Sequence, residues 1–69
     1  MRDQATARFK KGDLVHKPVM VNGARTKVTY TICADRYSSQ GWFEYQVRNF
    51  HTNKLEGGWV REKELKAGA

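Results

Sequence analysis

A single cysteine, Cys33, is the only thiol in this 69-residue chain, so no internal disulfide holds the fold together. Two histidines, His16 and His51, stand far apart and in no paired spacing, which leaves Cys33 without the companions a zinc site requires. Neither a metal nor a small-molecule cofactor is expected. Proline occurs once, at Pro18. No apolar run approaches the roughly 20 residues that span a bilayer, and the N-terminus lacks the apolar core of a signal peptide. The expectation is therefore an intracellular protein, cytoplasmic or nuclear, with no membrane partner. Acidic residues are scarce: seven Asp and Glu against thirteen Lys and Arg leave a formal charge of +6. In so short a chain that charge creates a positive field, for which nucleic acid or an acidic surface is the natural partner. A basic surface kept for solubility is the plainer alternative.

Size narrows the function further. A core this small supplies only a few kcal/mol of net stability, so nearly every large apolar residue is needed for packing. Domains of this size rarely enclose a pocket of enzymatic dimensions. Cys33 with His16 or His51 is the one conceivable nucleophile and base, and no third orienting group accompanies them. Ser38-Ser39 lies in a turn-forming stretch that needs no catalytic explanation. The chain is expected to bind rather than catalyse.

What is present is β-pattern. Residues 1–8 are polar and carry no hydrophobic period, which predicts a flexible N-terminal arm. Gly12-Asp13 marks a turn, Gly12 providing a backbone that a side chain would obstruct. A strand follows over 14–21, and Pro18 inside it predicts an edge or a break there. Asn22-Gly23 is a strong reversal signal. Residues 27–35 alternate, with Val28, Tyr30, Ile32 and Ala34 on one face and Lys27, Thr29, Thr31, Cys33 and Asp35 on the other; branching at Cβ favours the pleated state. Residues 36–41 read as a polar loop. From 42 to 50, Phe43, Tyr45 and Val47 oppose Trp42, Glu44, Gln46 and Arg48. After a turn at 51–54, a strand is predicted over 55–61, with a bulge or bend at Gly57-Gly58. A single helical turn over 62–65 and a short frayed end complete the chain. Short strands with a turn every 8 to 12 residues describe a small barrel or sandwich. Its inward set is Phe9, Leu14 or Val15, Val28, Tyr30, Ile32, Phe43, Tyr45, Val47, Val60 and Leu65.

The opening Phe9-Lys10-Lys11-Gly12-Asp13-Leu14-Val15, the alternating central strands and the closing Gly58-Trp59-Val60-Arg61-Glu62 resemble the Tudor, KOW and related SH3-like barrels over residues 9–66. That resemblance implies an all-β, five-stranded SH3-like (Tudor-like) barrel over 9–66, with an arm at 1–8 and a tail at 67–69. It also implies binding: Tudor domains hold methylated Lys or Arg in an aromatic cage, and KOW-type barrels bind RNA or ribosomal partners. Plasmid-type dihydrofolate reductase is the enzymatic case, but its pore-lining Val-Gln-Ile-Tyr has no counterpart here.

Two constellations follow. Arg8, Lys10, Lys11, Lys27, Arg36 and Arg48 are the cations expected to contact nucleic acid, since phosphate binding asks only for mobile cations on a common face. Tyr37, Trp42 and Phe50 are the aromatic residues expected to stand at one end of the barrel with accessible rings, to which a nucleobase or a quaternary ammonium is attracted. Arg48 beside Trp42 would place a cation next to a stacking surface. The plainer alternative is that Trp42 and Trp59 cap the core. A Tudor-like peptide reader would use Tyr37, Trp42 and Phe50 with Asp35 or Glu44, although a chain at +6 repels basic tails. A protein partner along the Pro18 edge is the third possibility.

Overall fold

The computed structural model describes residues 6–68. They form one antiparallel sheet that curls strongly on itself. Strand β1 runs Leu14–Val21, β2 Ala24–Tyr37, β3 Phe43–Asn49, β4 Val60–Arg61 and β5 Lys66–Ala67, with a 3₁₀ turn at Glu62–Glu64. The spatial order is β4-β3-β2-β1-β5. The sequence expectation of a small all-β barrel-like fold holds. Among the described residues no helix is long and apolar enough to cross a membrane.

The core is what the alternation predicts. Phe9, Val15, Ile32, Tyr45, Val47 and Leu65 are buried together, with Ala7, Tyr30, Phe43 and Val60 packed against them. The choice between Leu14 and Val15 falls to Val15, because Leu14 pairs with Thr31 on the outward side and is exposed. Val28 stays outside the buried cluster. It pairs with Lys17 beyond the ladders that β3 and β5 make, and is only half-buried there.

Three expectations are corrected. First, β2 is fourteen residues long and includes Arg36 and Tyr37, which the sequence pattern placed in a loop. A register shift between Ile32 and Ala34 leaves Cys33 as an extra residue. The bulge moves Ala34 to the outward side, opposite Gln46, and Asp35 to the side of Tyr45, the reverse of simple alternation. Second, no continuous strand covers 55–61: Leu55 makes an isolated bridge to Arg48, and only Val60–Arg61 is ladder. Gly58 has φ 80, a value that favours glycine and breaks the strand where a bend was expected. Third, the described residues nearest each end are tied down. Lys66–Ala67 pairs with Val15 and His16 rather than fraying, and at the other end the Arg8 amide donates to Glu62 at 2.9 Å while Ala7 packs on the core. The rest of the expected arm, residues 1–5, lies outside the described residues.

Candidate nucleic-acid interface

The bulge at Cys33 sets the site. By putting Arg36 opposite Glu44, and with Glu44 opposite Arg61 across β4, the ladder aligns three charged residues in one row on the outward face, since directly paired residues share a side. Glu44 accepts a hydrogen bond from the Trp42 indole N–H at 2.9 Å and from Arg36 Nε at 2.8 Å. These bonds, Trp42 first and Arg36 next, hold its carboxyl below the usual carboxylate range. Each flanking arginine lies on a ring: Arg61 is 3.7 Å from the Trp42 centroid and Arg36 4.2 Å from that of Trp59. Indole is the ring that best attracts a cation, and planar guanidinium is the cation most often found stacked on one. Both tryptophans are half-buried beneath these arginines; they roof the outer face rather than cap the core.

Beside this row, a cleft of about 310 Å³ opens between the β2–β3 turn and the 3₁₀ turn, lined chiefly by Tyr37, Trp42, Phe43, Arg61, Glu62 and Lys63. Tyr37 and Phe43 meet edge to face, their centroids 4.9 Å apart, as their direct pairing requires. Tyr37 is 55 % exposed, so its ring is open to a ligand. Glu62, the cleft's carboxylate, accepts from the Tyr45 hydroxyl at 2.6 Å and from the Arg8 amide. Arg61 Nε is buried without a hydrogen-bond partner. The cleft thus combines ring faces with two cations, and its one acid is already engaged.

The predicted residues divide. Tyr37 and Trp42 meet in the cleft, whereas Phe50 does not join them. It follows the far end of β3, eight residues beyond Trp42 and about 26 Å along the strand, where it is 53 % exposed and packs edge-on against His51. Arg48 is likewise remote from Trp42; it donates from Nη1 to the Asn53 carbonyl at 2.8 Å. Trp42 finds its cation in Arg61 instead, which the sequence reading, like Lys63, did not count among the site residues; Phe43 it assigned to the core. Only the β3–β4 pairing brings Arg61 alongside, and two paired residues leave no periodic signal. Arg36 stands at the site. Lys10 and Lys11 sit on the turn closed by the bond from the Asp13 amide to the Lys10 carbonyl at 2.9 Å, and the Arg8 guanidinium lies 5.0 Å from the Phe9 ring. Register places Arg25, Lys27, Arg36, Arg48, Arg61 and Lys66 on the outward side of their ladders, where Glu44 is the facing carboxylate.

No family model matches the chain, and no curated protein or solved structure is significantly similar to it. The curled five-stranded antiparallel sheet is compatible with a small β-barrel.

Proposed function

We propose that this chain is a non-catalytic binding barrel that holds single-stranded nucleic acid at the Tyr37–Arg61 cleft. The observation that carries the reading is the Arg61 guanidinium stacked 3.7 Å from the Trp42 centroid, in the same cleft as the exposed Tyr37 ring and Lys63. A base stacks on an aromatic ring or on a guanidinium plane with equal chemical logic. Lys63 and the outward cations supply phosphate contacts whose affinity falls with salt.

Among the barrels that the sequence resembles, this favours the nucleic-acid-binding KOW type over the Tudor type. A methyl-lysine cage has rings and a carboxylate at its mouth. Here Glu44 is bonded to Trp42 and Arg36, Glu62 to Tyr45 and Arg8, and two cations line the cleft. A cationic peptide would meet repulsion.

Titration of labelled oligo-dT and oligo-U at two salt concentrations tests the reading. Binding should weaken steeply with salt, and Tyr37→Ala should reduce affinity by about tenfold, the value of one lost stacking contact. Absence of binding at low salt, or an unchanged affinity in Tyr37→Ala, would sink it. Capture of a methylated peptide in preference to the oligonucleotides returns the assignment to the Tudor type.

A further inference from the structure

Strand β1 meets β5 only at Val15 and His16, and β3 reaches β2 only as far as Tyr30. Among the described residues, the backbone of 17–28 therefore projects as a two-stranded ribbon whose strands have no third ladder partner, closed by Asn22 and Gly23 at φ 51 and 79, the positive pair of a type I′ turn. From Pro18 to the turn the ribbon extends about 15 Å. Its outward side carries the pairs Pro18–Lys27 and Met20–Arg25, and Met20 is 64 % exposed. Residues 14–34 contain no Asp or Glu. At the ribbon's base Lys17 meets Glu64 at 3.3 Å; beyond that point the ribbon's charge is all positive.

Its edges are poor templates for another strand. The Ile32 amide donates to the Asp13 carbonyl at 2.9 Å, which makes Leu14–Thr31 a non-hydrogen-bonded pair and, counting by alternation, Pro18–Lys27 another. The backbone nitrogen of Pro18 thus faces the open edge, where it has no proton to donate. Arg25 and Lys27 put charge on the other edge. Proline and charge at an edge both oppose strand addition, so a second copy or an extended peptide is disfavoured there.

We infer that the ribbon is a second binding element, which enters the major groove of B-form DNA with Arg25 and Lys27 on the phosphates and Met20 toward the base edges. A two-stranded ribbon fits a groove about 12 Å wide and 8.5 Å deep, and its length reaches the floor. The narrow major groove of duplex RNA excludes it. This contact is separate from the cleft, which lies at the opposite end of β2.

Binding of the full chain to a 20-base-pair DNA duplex, the matching RNA duplex and a single strand tests the inference. The comparison includes Arg25→Ser/Lys27→Ser, exposed changes that spare the core, and Tyr37→Ala. The ribbon variant should lose about tenfold or more in affinity for duplex DNA, and its salt slope should shrink by about 1.8, that is 0.9 for each phosphate contact. Its single-strand affinity should move less than about threefold. Dimethyl sulfate should find guanine N7 protected by the parent and not by the variant, since N7 lies in the major groove. Tyr37→Ala should retain the duplex, and its failure on single strands alone bears on the cleft. Unprotected N7, equal affinity for both duplexes, unchanged duplex binding by the ribbon variant, or ribbon-dependent dimerisation without DNA overturns the inference.

Discussion

The Tyr45 hydroxyl donates a 2.6 Å hydrogen bond to Glu62 and accepts one at 3.3 Å from the Phe9 amide. One fully buried ring thereby ties the centre of β3 to the 3₁₀ turn and to the segment that leads into β1. Burial, then the bond to Glu62, pushes the hydroxyl up to about 12 from its ordinary value of 10. A raised folded value favours the protonated form, so this contribution is complete below about pH 10 and is lost as pH climbs towards 12. A shift of that size corresponds to about 2–3 kcal/mol. Tyr45→Phe should cost about 1–3 kcal/mol at neutral pH, because the Phe9 amide is left buried without its acceptor. Denaturant unfolding of parent and variant at pH 7, 10 and 12 checks both points: the difference between them should shrink above pH 10. A constant difference would show that the hydroxyl is not held as described.

Glu44 answers at the other end of the pH scale. Its lowered folded value, caused first by the Trp42 bond and next by Arg36, means that its contribution is present above the ordinary glutamate range and fades as pH falls through the lowered value. Protonation removes the charge that holds both partners. In a Trp59→Phe background, where Trp42 is the remaining tryptophan, indole emission should stay constant through the ordinary glutamate range and change only at pH values below it. Glu44→Gln, which keeps an acceptor and abolishes the charge, should flatten that titration. Persistence of the acid transition in Glu44→Gln would assign it to another group.

The legible part of this protein was the part with period two. Phe43, Tyr45 and Val47 alternate through β3, and the burial of Tyr45 and Val47 follows. Asn22-Gly23 announced the hairpin and formed it. The bulge at Cys33 was illegible, because neither glycine nor any other local signal marks the extra residue; the demand for it comes from curling β2 around the core. Its consequence was large, since it sends Arg36 to Glu44 and Tyr37 to Phe43. Strands β4 and β5, two residues each, are fixed by partners distant in sequence. Arg61 was therefore missed, although a cation two residues after Trp59 was in plain view. The separation of Phe50 from Trp42 was readable all along: a seven-residue strand lies between them.

Gly12 separates two reasons for needing glycine. The sequence suggested that a side chain would obstruct the turn, yet a Cβ built there meets nothing within 4 Å. The constraint is the backbone, held at φ 96 by the bonds from the Gly12 amide to Ile32 and from the Asp13 amide to Lys10, each 2.9 Å. At that φ an L side chain strains against its own carbonyl, at a cost of about 1–2 kcal/mol, whereas the mirror-image residue does not. The two explanations predict different outcomes in a chain short enough to synthesise. Gly12→Ala should destabilise by about 1–2 kcal/mol, and D-alanine at the same position should leave stability unchanged or raise it by up to about 1 kcal/mol through restriction of the unfolded chain. Thermal or denaturant unfolding of the three proteins decides the matter. Equal losses for both enantiomers would restore steric obstruction as the cause, and no loss for L-alanine would remove the need for glycine altogether.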